Sequence, residues 1–268
     1  MLNKKIGVIG TGKMGGALIK GILMKRVILA ENIWVYDKNP ERLALILKLG
    51  VKRASNIKNL VKESEVIIIA VKPQDIDTAV EEIKNEIQSS HLLISIAAGI
   101  TTSYLIKKLG KQVPLVRVMP NIAVTVGEGI SCISPTKRVN SQYIKITKEI
   151  LKAVGEVVEV PEEMQDAVTG LSGSGPAYVY TFIKGIALGG IKAGLNEKLA
   201  YKLAIQTTLG AAKMAKETPS SLDELRRAVV SPGGTTAQGL KALEEGKIED
   251  HLIEAVIRAT QRSRELRK

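Results

Sequence analysis

The chain has 268 residues, of which 45% are hydrophobic and 3% aromatic, and its formal net charge at pH 7 is +12. No apolar run approaches the ~18 residues of a membrane span, and the scattered lysines with few aromatic residues offer no stacking platform, so we expect a cytoplasmic protein that binds neither membrane nor nucleic acid. Cys132 is the only cysteine, and neither His91 nor His251 has metal-ligand spacing to another residue, so we expect no disulfide and no metal site.

The first 160 residues alternate between strand and helix patterns. KKIGVIG and IWVYD indicate strands, and each precedes a helix pattern; the second helix starts at Pro40, where the missing N–H costs nothing. EVIIIAV and HLLISIAAG are apolar on both faces, as in central strands covered on two sides. TTSYLIKKLG has the pattern of a helix capped by Thr101 or Thr102 and ended by Gly110.

Strand patterns continue through PLVRVMPN and GISCISP to VGEVVEV and then stop. The repetition predicts an α/β fold, in which residues 1–160 form a Rossmann-like, doubly wound and mostly parallel sheet with helices on both faces. Residues 161–268 have consecutive helix patterns and predict an all-helical second domain.

One helix pattern of the second domain, GSGPAYVYTFIKGIALGGIKAG, contains many small residues. Because each glycine inside a helix costs about 1 kcal/mol relative to alanine, another backbone is expected to approach closely, either from a second subunit or within one. Ser172 and Ser174 precede Pro176 in this segment, and we expect them to cap the helix and pack against a subunit rather than line a site.

A glycine-rich loop, Gly10-x-Gly12-x-x-Gly15, follows the first strand and opens a helix. In this context Gly10 permits a tight turn, Gly12 permits close approach of a pyrophosphate and Gly15 permits helix–sheet packing. Free N–H groups at the helix start would hold the phosphates.

Asp37 ends the second strand, where a carboxylate accepts hydrogen bonds from both ribose hydroxyls and favours NADH. Lys38 and Arg42 lie close by in sequence and could bind the 2′-phosphate of NADPH instead, so both cofactors remain open. Ligands bind at the carboxyl edge of such sheets, which adds the later strand ends at 70–73 and 97–99. Asn56 is most simply explained as a helix cap.

A second glycine- and hydroxyl-rich loop, SPGGTT, spans residues 231–236 before a helix pattern. Its N–H groups and hydroxyls suit a carboxylate. The residues alone fit a helix N-cap with Pro232 as helix starter at least as well.

The segments VIGTGKMGGAL, AVKPQDI, ISIAAGIT, VRVMPNIAVTVGEG, AVTGLSGSGPAYVY and VVSPGGTTAQGL resemble, in this order, the signature blocks of pyrroline-5-carboxylate reductases. The resemblance implies reduction of 1-pyrroline-5-carboxylate to L-proline with NADPH or NADH, the last step of proline synthesis. It also implies a helical domain that binds the substrate and dimerises by interlocking helices, with dimers that often assemble into decamers of five.

The resemblance also implies which residues form the site. Ser231 and Thr236 would contact the substrate, and the pattern of the loop adds Gly233, Gly234 and Thr235. The family uses a glutamate before SPGGT, which Glu217 matches with a different spacing around the proline. The resemblance and the strand–loop pattern together give a cofactor site made of Ile9, Gly10, Thr11, Gly12, Lys13, Met14, Gly15, Asp37, Lys38, Asn56, Ala70, Val71, Lys72, Pro73, Ala97, Ala98 and Gly99.

Hydride addition to a protonated C=N bond needs placement more than acid–base side chains, which agrees with the lack of a His-based catalytic pair. Two other readings remain. A reductase of the six-membered imine or a β-hydroxyacid dehydrogenase would share this build, but the dehydrogenase would need a lysine that PEEMQDAVTGL lacks. A non-catalytic dinucleotide-binding protein would have no use for SPGGTT.

Overall fold

The computed structural model describes all residues, 1–268, and divides into two compact units. The first unit comprises residues 1–174 and 258–268, and the second comprises residues 175–257. None of the helices has the length and apolar character needed to cross a bilayer.

The first unit is built on one eight-stranded sheet, as the strand–helix alternation predicts. Its strands are β1 (Ile6–Ile9), β2 (Ile33–Tyr36), β3 (Lys52–Arg53), β4 (Val66–Ile69), β5 (Leu92–Ser95), β6 (Leu115–Pro120), β7 (Gly129–Pro135) and β8 (Gly155–Glu159). Their order is β3-β2-β1-β4-β5-β6-β7-β8, and every neighbouring pair is parallel except β6 and β7. The chain therefore changes direction across the sheet between β1 and β4, which is where doubly wound sheets bind ligands.

Helices cover both faces of this sheet. They are α1 (Lys13–Met24), α2 (Pro40–Leu47), α3 (Ile57–Lys62), α4 (Ile76–Lys84), α5 (Thr102–Leu109), α6 (Ser141–Lys152) and α7 (Gln165–Val168), which continues into a π-helical turn at Thr169–Gly173. Along β4, Ile68 belongs to one buried apolar cluster, whereas Ile67 and Ile69 belong to another. The two-faced strands are thus buried on both sides, as predicted from their unbroken apolar runs.

Polar caps explain where several of these helices start. The Asn39 side chain accepts a hydrogen bond from the Arg42 N–H ahead of Pro40, and Thr101 accepts one from the Tyr104 N–H. Thr101 is therefore the cap of α5, and Gly110 ends that helix with a φ of +64°. Each cap contributes about 1 kcal/mol.

The compact units do not divide at residue 160, because residues 161–174 and 258–268 pack with the sheet. The buried Gln165 donates from Nε2 to the Cys132 carbonyl (3.2 Å) and the Ser134 hydroxyl (2.7 Å). Buried Asp166 accepts hydrogen bonds from the Ser263 hydroxyl (2.8 Å) and from Arg267 (3.2 Å). The Gln165 bonds attach α7 to β7, and the Asp166 bonds attach the end of the chain to α7.

The second unit is helical throughout, as the sequence predicts. It contains α8 (Gly175–Lys192), α9 (Glu197–Glu217), α10 (Leu222–Ala228), α11 (Thr235–Glu245) and the first half of α12 (Ile248–Leu266). The expectation that Ser172 and Ser174 cap α8 is wrong, because Ser172 lies within the π-helical turn and Ser174, the single bend residue between that turn and α8, makes no side-chain hydrogen bond to the helix. The Ser172 hydroxyl instead accepts a long hydrogen bond from Asn121 Nδ2 (3.5 Å).

His91 gives the first unit a specific sensitivity to acid. Burial lowers the pKa of His91 below its usual 6.5, and Nδ1 accepts a hydrogen bond from the Gln88 N–H, which requires the neutral ring. Because the unfolded chain binds the proton more readily, this group destabilises the fold as pH falls below about 6.5. We expect His91→Asn to lose less stability than the wild type in urea titrations between pH 7.5 and pH 5. An equal loss in both proteins would contradict this role.

Candidate active site

The first glycine loop joins β1 to α1 in a tight turn. Gly10 has a φ of +96°, and a Cβ there would lie 2.7 Å from the Ala70 carbonyl oxygen. A Cβ on Gly15 would lie 2.1 Å from the Gly10 carbonyl oxygen. The predicted reasons for glycine at these two positions, turn geometry and close packing, are therefore confirmed.

Gly12 differs from Gly10 and Gly15 because the space that its side chain would fill is open. A Cβ on Gly12 would have only Arg42 Nη1, at 4.0 Å, within reach. Gly12 is also the N-cap of α1, and no side chain caps that helix. The first N–H groups of α1 thus lie behind a cradle that a Cβ would fill, which suits the pyrophosphate of a dinucleotide.

Asp37 follows β2 and bonds to the glycine loop. Its Oδ2 accepts hydrogen bonds from the Thr11 N–H (2.6 Å) and the Thr11 hydroxyl (3.0 Å), and its Oδ1 accepts one from the Asn39 N–H (2.8 Å). Lys38 forms an ion pair with Asp75 at 2.6 Å. The sequence placed Asp37 and Thr11 in the same site but gave no sign that they bond to each other.

The later strand ends lie at the same edge of the sheet. Ile9 is in register with Ile69, and Ile69 with Ser95, so the segments 70–73 and 97–99 leave the sheet beside the glycine loop. The methyl group of Ala70 would lie 3.1 Å from a Cβ on Gly15, which explains the need for small residues here. The structure thus brings together the predicted residues of β1, β2, β4 and β5.

Asn56 caps α3, accepting a hydrogen bond from the Asn59 N–H at 2.8 Å, so its structural explanation is confirmed.

The second glycine loop lies in the second unit and precedes α11. Gly233 has a φ of +68°, and a Cβ on Gly234 would lie 2.1 Å from Ser231 Oγ. The alternative in which Pro232 starts a side-chain-capped helix is wrong, because α11 begins at Thr235 and its N-cap, Gly234, provides no side chain. The hydroxyls of this loop therefore do not cap the helix.

Glu217, the remaining predicted site residue, is the last residue of α9. Its carboxylate lies 3.8 Å from Lys213 Nζ, one turn earlier on the same helix, and 61% of its side chain is exposed. An exposed pair of this kind adds little stability and leaves the carboxylate free to take another partner.

Two family models match the chain. Residues 162–266 match pyrroline-5-carboxylate reductase dimerisation, and residues 5–99 match NADP oxidoreductase coenzyme F420-dependent. The first match covers the helical half and the second covers the glycine loop with the β1–β5 part of the sheet.

The chain is similar over its whole length to pyrroline-5-carboxylate reductases. Pyrroline-5-carboxylate reductase of Methanosarcina acetivorans is 47% identical over 100% of both chains, and that of Escherichia coli is 34% identical over 100% of both. Among solved structures, the pyrroline-5-carboxylate reductase of Coxiella burnetii superposes with a TM-score of 0.95 at 34% identity, covering 100% of both chains. The Plasmodium falciparum pyrroline carboxylate reductase with NADP bound superposes with a TM-score of 0.89 at 34% identity, again over 100% of both.

Proposed function

The chain belongs to the pyrroline-5-carboxylate reductase family, and we propose that its two glycine-rich loops divide the work of that reaction between them. It is an NAD(P)H-dependent oxidoreductase that reduces the C=N bond of 1-pyrroline-5-carboxylate to give L-proline in proline biosynthesis. Similarity over the whole chain, with both glycine loops included, is the observation that carries this function.

The first loop and the neighbouring strand ends hold NADPH or NADH, which when bound supplies the hydride. The open space at Gly12 and the uncapped start of α1 support a pyrophosphate position there. The nicotinamide end would lie against the segments that follow β4 and β5. The proposed cofactor site comprises Ile9, Gly10, Thr11, Gly12, Lys13, Met14, Gly15, Asp37, Lys38, Asn56, Ala70, Val71, Lys72, Pro73, Ala97, Ala98 and Gly99.

The second loop holds the carboxylate of the substrate. Since no side chain caps α11, the N–H groups and hydroxyls at its start can donate to an anion. In this proposal the Thr236 hydroxyl also reaches the ring nitrogen of the substrate. Each charge-assisted hydrogen bond of this kind contributes about 1.5–3 kcal/mol. The proposed contacts are Ser231, Gly233, Gly234, Thr235, Thr236 and the family's glutamate at Glu217.

These residues act by placement. A protonated imine is already a good electrophile, so the protein needs to hold the imine carbon close to the hydride donor and on the correct face. Such positioning can lower a barrier by roughly 7–11 kcal/mol. No side chain of either loop has to form a covalent bond.

In this proposal residues 1–160 bind the dinucleotide, and residues 161–268 bind the substrate and form a homodimer. Dimerisation is supported by the family model over residues 162–266 and by apolar side chains of α8 that are 42–45% exposed, among them Val179, Phe182 and Ile186. A Cβ on Gly185 or Gly189 of the same helix would meet no atom within 4 Å. This open space favours a second subunit as the neighbour that packs closely there. Five such dimers would give a decamer, and we place the enzyme in the cytoplasm.

One assay tests the function. We expect purified protein to oxidise NAD(P)H when 1-pyrroline-5-carboxylate is added, more slowly with the six-membered imine and not at all without an imine. No turnover with 1-pyrroline-5-carboxylate would overturn the assignment. Faster turnover of the six-membered ring would favour the related imine reductase instead.

A further inference from the structure

The carboxylate of Asp37 is largely occupied before any cofactor arrives. An ionised carboxylate has about four acceptor positions. Thr11 fills two at Oδ2 through its N–H (2.6 Å) and its hydroxyl (3.0 Å), and Asn39 fills one at Oδ1 (2.8 Å). A carboxylate that reads the ribose of NADH needs room for two hydroxyl donors. Only one position remains here, so the geometry disagrees with that role.

The same bonds give Asp37 a different task. Thr11 is 5% exposed and lies between Gly10 and Gly12, at the centre of the turn proposed to bind the pyrophosphate. A charge-assisted hydrogen bond to the Thr11 N–H fixes the peptide direction at this point. The Asn39 bond ties the start of α2 to the same carboxylate. Asp37 thus connects the glycine loop to α2.

Arg42 brings a guanidinium to the edge of this loop. It lies in the first turn of α2, and its Nη1 is 4.0 Å from the position of a Cβ on Gly12. Lys38 is engaged with Asp75, whereas Arg42 forms no ion pair in the structure. The planar guanidinium donates two parallel hydrogen bonds to a phosphate, and the 2′-phosphate of NADPH binds after β2 in this type of fold.

We propose that Asp37 is a positioning residue for the glycine loop and that Arg42 makes the enzyme selective for NADPH over NADH. The inference rests on the proposed cofactor site and assigns two roles within it. It reverses the expectation that a carboxylate at the end of β2 favours NADH, because this carboxylate is used inside the protein.

Equilibrium binding separates the two roles without any turnover. Dissociation constants of NADPH and NADH would be measured by nicotinamide fluorescence for the wild type, Arg42→Gln and Asp37→Ala. We expect Arg42→Gln to raise the dissociation constant of NADPH at least tenfold, while that of NADH changes less than twofold. We expect Asp37→Ala to raise the dissociation constants of both cofactors by similar factors, at least fivefold. A loss confined to NADH in Asp37→Ala, or an unchanged cofactor ratio in Arg42→Gln, would overturn the proposal.

Matched variants control for charge and folding. Lys48→Gln removes one positive charge from the C-terminal end of α2, and we expect no change in the cofactor ratio. If Asp37→Ala does not fold, Asp37→Asn keeps one acceptor oxygen for Thr11 and should weaken the binding of both cofactors by similar factors. Weaker binding of NADH alone would again overturn the positioning role of Asp37. Wild-type turnover of 1-pyrroline-5-carboxylate, measured separately, tests the proposed function itself, so the two failures are distinguishable.

Discussion

Replacing Thr236 with alanine should raise the KM for 1-pyrroline-5-carboxylate by about tenfold to a hundredfold, while the Kd of NADPH and NADH stays within about twofold. Thr236 lies in the first turn of α11, where no side chain caps the helix. Loss of one charge-assisted hydrogen bond, about 1.5–3 kcal/mol, corresponds to that range of affinity. Initial rates at varied imine concentration give the KM, and fluorescence titration gives the Kd.

The conservative variant Thr236→Ser keeps the hydroxyl and should restore most of the substrate affinity. Since the hydroxyl does not cap α11, the melting temperature of Thr236→Ala should stay close to that of the wild type. If imine and cofactor affinity fall together in Thr236→Ala, the loop does not bind the substrate carboxylate specifically.

The sheet and its helices follow from local patterns in the sequence. Two-faced apolar runs predict β4 and β5, Pro40 predicts the start of α2 and Gly110 predicts the end of α5, and all four lie where expected. These signals predict local structure because each depends on only a few neighbouring residues. The spacing of apolar residues indicates burial, proline lacks an N–H group, and glycine permits the left-handed backbone that ends a helix.

Local sequence patterns do not predict contacts between residues that are far apart in the chain. Asp166 meets Ser263 and Arg267, about a hundred residues further on, and these bonds join the end of α12 to the first unit. Nothing local distinguishes Asp166 from an exposed helical carboxylate. For the same reason, the sequence suggested a simple boundary near residue 160, whereas the first compact unit includes both ends of the helical half.

The site shows the same division. Glycine spacing located the loop that contains Gly10 and Gly15, because the tight turn requires those residues. The motif also placed Asp37 at the end of β2, but the partners of its carboxylate depend on how two loops meet in space. A motif therefore identifies which residues come together, and the hydrogen bonds decide what each one does.

Substituting alanine at Gly12 and at Gly15 should separate cofactor binding from folding in the first loop. Gly12 has a φ of −64° and open space around it, so Gly12→Ala should fold with wild-type stability. Its methyl group would occupy the place of close pyrophosphate approach, and we expect NADPH and NADH to bind at least a hundredfold more weakly. Gly15→Ala places a Cβ 2.1 Å from the Gly10 carbonyl oxygen, which should cost about 1–3 kcal/mol of stability.

Urea unfolding midpoints and cofactor dissociation constants, measured on both variants, give the two readouts, and each variant is the control for the other. Backbone displacement in Gly15→Ala should weaken cofactor binding as well, but only together with lost stability. A Gly12→Ala protein that binds NADPH and NADH like the wild type would show that the pyrophosphate does not approach this loop. A Gly12→Ala protein as unstable as Gly15→Ala would show instead that Gly12 is required for folding, and the cradle at the start of α1 would lose its functional meaning.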